Sequence, residues 1–433
     1  MSRRERLLGA VRAFRDALLH DQAPPPQAPP QRWGPRRNAT DGHVRGLTPA
    51  RIASLIRQAD DGDPRGQAQL LHEMEDRDTH LVSVLGVRKR AAANLPILVD
   101  AASDDLIDRA VQHFVRTSLS GIEGWTQGLV DLLDAVSKGY SAAEIDWAVR
   151  DGVIAPRRLM HRPAHWLRPD QDAPDEWRVM TDREPTTGER LWPQRWIVHV
   201  SRAKSGSPSQ AGLGRTLAWW YLYKSYAIKD WATYAEKYGS PLRLGKYPEG
   251  ADDADIRALE EAIEQLGVDA YAVMPAAMTA EFVSDAGART GADVYERLAT
   301  FSNREISKAV LGQTLTTEES ARGTQGLGSV HNDVRGDLRD SDAGELADTL
   351  RRDLVTPLVR LNWGEHARIP GIRFAIDPPA DVEAEVRVQS ARASVLRAAR
   401  DLGLAVTEAQ VRDELGVREA RDGERVIAQG EAP

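Results

Sequence analysis

The sequence predicts a mixed α+β protein, mainly helical. Long stretches of the 433 residues carry apolar side chains at helical spacing, often behind a Ser, Thr or Asp that can cap a helix start. One shorter region beginning at Tyr140 alternates apolar and polar residues, as half-buried strands do. The third observation is the balance of 41% apolar and 28% charged residues, which excludes wholesale disorder and a coiled-coil rod. At roughly 100 to 200 residues per domain, the length suggests two to four structural units.

In chain order, residues 1–22 predict an amphipathic helix (Leu7, Leu8, Val11, Phe14, Leu18, Leu19) interrupted by Arg and Asp. It lacks the apolar run of a secretory signal and either docks on a surface or folds against a neighbouring subunit. Residues 23–46 open with APPPQAPPQRWGP, an extended polyproline-like tether. Residues 47–139 read as a helical layer. Thr48 and Pro49 start one helix, Asp63 and Pro64 a second, and Asp78 a third. Ser103 is expected to cap a helix burying Leu106, Ile107, Val111, Phe114 and Val115. Trp125 to Val136 gives another, closed by Lys138 and Gly139.

Residues 140–212 predict a small antiparallel sheet. Its hairpin turns at Asp151 and Gly152, and further strands fall at Trp177 to Met180 and Trp196 to Val200. Residues 213–238 form a long helix, stopped by Gly239, Ser240 and Pro241. An α/β insert at 239–290 follows, with a helix on Ile256, Leu259, Ile263 and Leu266 and strands at Ala270 to Met274 and Thr279 to Val283. Between Glu249 and Asp293 eleven acids face only Arg257 and Arg289, a net charge of −9. A second long helix covers 291–311, and residues 312–328 (GQTLTTEESARGTQGLG) make a polar loop that is long for a compact domain. The segment 329–379 carries a very long helix from Ser329 to Trp363, kinked at Pro357, and a strand at Ile372 to Ile376. Residues 380–433 give a helix from Asp381 to Leu402 and a charged tail.

Composition and motifs exclude much chemistry. Without cysteine there is no disulfide framework, thiolate metal site or cysteine nucleophile. The formal charge of −8 argues against tight phosphate binding, which needs clustered Lys and Arg. No apolar stretch approaches the length of a membrane span, and the chain reads as cytosolic. Gly239 to Tyr247 has one residue too many for a phosphate-binding Walker loop, with Tyr247 where the hydroxyl belongs. His161 and His165 flank Pro163, and His72 with Glu73 lacks the second histidine of a zinc helix because Asp76 stands there. No nucleophile elbow appears. No catalytic residue, cofactor or metal site is expected.

Four colinear blocks carry a resemblance: EMEDRDTHLVSVLGVRKR (Glu73 to Arg90), KGYSAAEIDW (Lys138 to Trp147), KDWATYAEKYGSPLRLGKY (Lys229 to Tyr247) and ISKAVLGQTLT (Ile306 to Thr316). They look like the signature blocks of the Mu-like family of bacteriophage portal proteins. The resemblance implies a subunit of a twelve-membered ring at a capsid vertex, assembled in the bacterial host cytoplasm. Double-stranded DNA passes through such a ring without sequence readout. Terminase large subunit, head-completion or connector proteins and the major capsid protein are the implied partners, and no enzymatic activity is implied.

Carried onto these residues, 47–139 and 140–212 become the wing, 213–238 and 291–311 the stem helices, 239–290 the clip, and 312–328 the tunnel loop. Residues 329–379 become the tunnel and wing helix, and 380–433 the crown. Gln313, Thr314, Thr316, Thr317, Arg322 and Gln325 would then face DNA. Asp252, Asp253, Asp255, Glu260, Glu261 and Glu264 would dock partners, and Trp219, Trp220 and Trp231 would line the stem interface between subunits. The competing readings are a head-assembly adaptor or scaffold that passes no DNA, and a hydrolase using a carboxylate pair of the insert.

Overall fold

The computed structural model describes Arg15, Asp16, Gln27 and residues 46–173, 176–238, 243–264, 271–276, 288–314, 325–376, 382–405 and 407–415. The chain divides into two compact units, Met1–Phe374 and Ala375–Pro433.

The first unit begins with helices α1 (Pro49–Asp60), α2 (Arg65–Arg77) and α3 (Thr79–Ala93). Thr48 caps α1 by accepting from the Arg51 amide at 3.2 Å, and Asp78 caps α3 through the His80 and Leu81 amides at 3.0 Å. Strand β1 (Ile97–Asp100) follows, unforeseen because four residues carry too little periodicity. Then come α4 (Leu106–Ser120), α5 (Trp125–Leu132) and α6 (Ala135–Lys138). Two expectations need correction here. Ser103 does not cap α4 but donates to Asp108 Oδ2 at 2.5 Å, and the N-cap is Asp105. Leu106 and Ile107 are exposed, so the buried stripe is Val111, Val115 and Leu119. The helix expected from Trp125 breaks after Leu132. At its end Gly139 adopts φ +86°, and a side chain there would run into the Pro208 carbonyl.

Strands β2 (Tyr140–Arg150) and β3 (Val153–Arg162) form the foreseen hairpin, with Asp151 and Gly152 both at positive φ. The strands after it do not extend a single sheet. β4 (Leu167–Pro169), β5 (Trp177–Val179) and β6 (Glu189–Arg190) pair among themselves, while β7 (Trp196–Val200) joins β2, giving the order β3-β2-β7.

After the short α7 (Pro208–Ala211) comes α8 (Gly214–Tyr238), 25 residues and about 38 Å long at 1.5 Å per residue. Strand β8 (Arg243–Tyr247), helix α9 (Asp253–Glu264) and strand β9 (Tyr271–Pro275) make a β-α-β unit with parallel strands. The sequence reading missed β8, and the strand it placed at Thr279 to Val283 lies outside the described residues. Helix α10 spans Ala288–Leu311. Helix α11 (Gln325–Leu350) starts four residues before the expected Ser329, so Gln325, Gly326 and Gly328 belong to a helix instead of a loop. A π-helical turn, Arg351–Val355, precedes α12 (Thr356–Trp363). Pro357 lies in the first turn of α12, where its missing N–H matters least. The irregularity falls just upstream, the Thr356 amide reaching back to the Arg351 carbonyl. Strand β10 (Gly371–Phe374) pairs antiparallel with β1.

Three cores hold the unit. One joins α4, α5 and the β3-β2-β7 sheet to α11, the π turn, α12 and β10 through Val115, Leu129, Ile145, Leu346, Leu354 and Leu358. A second packs α1, α2 and α3 on the first half of α8 and the last half of α10, with Ile52, Met74, Leu85, Leu217, Leu222 and Ile306. The third gathers Tyr140, Trp166, Trp196 and Val179 between the two three-stranded sheets. Gln27, expected in a free tether, is buried at 7% exposure. In the second unit α13 (Val382–Asp401) packs on α14 (Glu408–Leu415), a helix within the expected charged tail, with Arg392 donating to the Glu414 carbonyl at 3.3 Å.

Candidate conduit and docking surfaces

Helices α8 and α10 are built in two halves of different character. Near their base they belong to the second core. Farther out, no residue from 228 to 236 or from 293 to 301 is buried. Trp220, early in α8, meets Phe301 edge-on with ring centroids 5.6 Å apart, and Tyr234, late in α8, meets Tyr295 at 6.0 Å. The pair therefore runs antiparallel, with its far halves projecting from the body. Those halves expose Tyr223, Ile228 and Trp231 on α8 and Val294, Leu298 and Phe301 on α10. Each projecting half also carries charge, Lys229, Asp230 and Glu236 on α8 and Asp293, Glu296 and Arg297 on α10, so each has a charged side and an apolar side that the one neighbouring helix covers only in part.

The base of the pair is fixed by ions. Arg88 of α3 sends Nε and Nη2 to Asp342 of α11 at 2.7 and 2.8 Å, and Nη1 to the Val310 carbonyl of α10 at 2.8 Å. One guanidinium thus ties the end of α10 to α11, with both ion partners buried. Lys224 of α8 bonds the α3 cap Asp78 at 2.7 Å, and His80 lies 2.8 Å from Ser307 of α10.

At the far end, Gly245 of β8 packs beneath Leu259 and Ile263 of α9, where a Cβ would collide with Ile263. Asp252, Asp253, Asp255, Glu260, Glu261 and Glu264 all face solvent, as the acidic reading expects. Asp252 caps α9 through the Ala254 and Asp255 amides at 2.9 and 2.8 Å. Glu260, Glu261 and Glu264 sit at the opposite end, where the helix dipole is negative and no basic residue stands in the last turn.

The expected loop residues fare unequally. Gln313 is buried at 4% exposure and Thr314 half-buried, so Gln313 packs within its own chain instead of facing a lumen. Thr316, Thr317 and Arg322 lie outside the described residues, as does the side chain of Gln325. Trp219 and Trp220 are half-buried against the chain's own second core, and only Trp231, at 37% exposure, points clear of it. The other exposed apolar residues of the helix pair were not singled out from sequence.

The family described as portal protein of Mu bacteriophage matches residues 68–417. This chain belongs to the Mu portal family. It is 34% identical over 404 residues to the Mu-like prophage FluMu protein gp29 of Haemophilus influenzae, covering 90% of this chain and 74% of that protein. To the portal protein of Escherichia phage Mu it is 35% identical over 344 residues, covering 78% of this chain and 66% of that protein. A chain from the virion of a native gene transfer agent particle aligns over 94% of this chain and 99% of its own length, at a TM-score of 0.48 and 13% identity. The portal match runs from α2 to beyond α14, and so includes the projecting pair, the acidic β-α-β unit and the Arg88 anchor.

Proposed function

We propose that copies of this portal chain close into a ring of twelve at one vertex of a phage capsid, in the virion, after assembly in the host cytoplasm. DNA enters through the ring during packaging and leaves through it at ejection. α8 and α10 form the stem, the β-α-β unit the clip that docks terminase and later connector proteins, and the segment between α10 and α11 the tunnel loop. The observation that carries this reading is the exposed apolar surface of the projecting helices, joined to family membership. A head-to-tail interface that closes on itself covers that surface on every subunit at once. The acids at the end of α9 repel one another and the helix dipole, a cost that a basic docking partner would relieve. A net charge of −8 per chain disfavours gripping phosphates, which suits a channel through which DNA must slide. The role assigned to these surfaces is mechanical.

Negative-stain imaging of the purified protein tests the reading. Closed rings with a hole wide enough for a duplex are the expected result. Monomers or dimers alone, at both low and moderate salt, would refute it, and rings with a lumen too narrow for DNA would favour an adaptor that passes none.

A further inference from the structure

Glu144 of β2 is fully buried. Arg162 donates to its Oε2 from Nη2 at 2.9 Å and Nε at 3.2 Å, while Arg195 Nε stands 3.6 Å from Oε1. Oε1 receives its short hydrogen bond from a residue 117 positions away, the Gln27 backbone N–H at 2.7 Å. The Gln27 side chain is held at both ends of its amide. Its Nε2 donates to the Arg190 carbonyl at 2.7 Å, and its Oε1 accepts from both the Trp192 amide and the Trp196 indole at 2.9 Å.

This arrangement reads one side chain. Glutamate could not donate to the Arg190 carbonyl, asparagine is one methylene too short, and lysine could not accept from two N–H groups. Removal of Gln27 would strand a carboxylate oxygen, an indole N–H and a backbone N–H in a buried place. In the sequence Gln27 is flanked by Pro24, Pro25 and Pro26 on one side and Pro29 and Pro30 on the other. Such a segment loses little conformational entropy on docking, and polyproline ligands are commonly received by aromatic side chains.

We propose that Glu144, Arg190, Trp192 and Trp196 form a socket for a glutamine-centred polyproline peptide, and that its occupant is this chain's own segment Ala23–Pro35. The socket fastens the chain at Gln27 to the sheet region. The reading does not depend on ring formation or on DNA passage.

Hydrogen exchange on the full chain is the test, read at the Trp192 amide. Gln27→Ala should speed exchange there about tenfold or more, as expected for a lost buried hydrogen bond, and Gln27→Glu, which keeps the accepting oxygen but cannot donate to the Arg190 carbonyl, should speed it less; both should leave α2 and α3 unchanged. Adding the peptide APPPQAPPQR to the Gln27→Ala chain should restore protection, and APPPAAPPQR should not. Unchanged exchange in both variants, or equal rescue by both peptides, would overturn the socket. A benzophenone side chain at position 28 checks the intact socket without altering Gln27. Its cross-links should fall on residues 190–196, and any other landing place would count against the proposal. In a mixture of ¹⁴N and ¹⁵N chains the cross-links should join like isotopes. Links between unlike isotopes would assign the socket to a neighbour's arm and overturn the own-chain occupant.

Discussion

Arg88 shows how much can rest on one side chain. It serves three helices from a site that water does not reach, and its loss would leave Asp342 ionised and unpaired in the interior. Arg88→Leu is therefore expected to destabilise the fold by about 3–5 kcal/mol. The double change Arg88→Leu with Asp342→Leu should recover much of this, because the orphaned charge is removed along with its partner. Urea unfolding of the two variants checks the point, and equal stability of single and double variants would refute it. His199 of β7 sets a second residue-scale expectation. Burial, with Arg352 nearby, lowers its pKa to about 3, while its ring lies 3.0 Å from Thr349 Oγ1. In the unfolded chain the ring takes up a proton near pH 6.5. Between these values the unfolded state binds more protons, so stability falls as pH drops from about 6.5 toward 3. Going from pH 7 to pH 5 should cost the unaltered chain about 2 kcal/mol more than His199→Asn, which keeps a polar group near Thr349 but does not titrate. Parallel losses in the two proteins would exclude His199 as the cause. The buried Asp134 works in a lower window. Burial raises its pKa, but Lys138 and Lys89 lower it further, so its contribution is full above the ordinary carboxylate range and is lost progressively as pH falls from that range toward its depressed folded value.

The projecting helices are the element on which assembly turns. Val294→Asp together with Leu298→Asp places charge on a surface that is exposed in this chain and that the proposed ring would cover. The variant is expected to keep its helix content by circular dichroism, lose less than about 1 kcal/mol of stability, and sediment as monomers. Rings of normal size would show that this face is not an interface. The same elements show what the sequence made legible. Long helices with hydroxyl or carboxylate caps were readable to within a few residues, because Thr48 and Asp78 act locally. The hairpin was equally plain, since Asp151 and Gly152 suit a tight turn through their own backbone preferences. Strands β1 and β8 were not legible. Each is four or five residues long and is defined by a partner distant in sequence, so no local pattern announces it. The exposed ends of α4 and the burial of Gln313 were missed for the related reason that apolarity and polarity give a preference, while packing decides the outcome. The solvent exposure of the six acids was readable from their charge. The assignment of Trp219 and Trp220 to a subunit contact took no account of the core that their own chain places beside them.

For the whole molecule, the portal reading separates assembly from transport. Replacing Thr316, Thr317 and Arg322 by Gly and Ser should leave rings intact and reduce the DNA retained in particles, as measured by nuclease-protected DNA per capsid. Loss of rings would move that segment from the lumen to the subunit contact. One more whole-molecule consequence lies in the two-stranded sheet of β1 and β10, where Arg373 Nε bonds Asp100 Oδ2 at 2.8 Å across 273 residues of chain. A ribosome adding about 5–20 residues per second makes β1 and then needs roughly 15–55 s to deliver its mate. Until then the edge of β1 is open and the core containing Val99, Leu346, Leu358 and Phe374 is incomplete. A prematurely terminated chain thus carries its own mark of incompleteness, and a fragment ending before Gly371 should be found bound to chaperones or in aggregates instead of in rings. Recovery of such fragments in rings would show that closure of this sheet is no checkpoint. β10, the last described strand of the first unit, then acts as a receipt for synthesis as far as Phe374, and the proposed ring would admit only subunits translated past it.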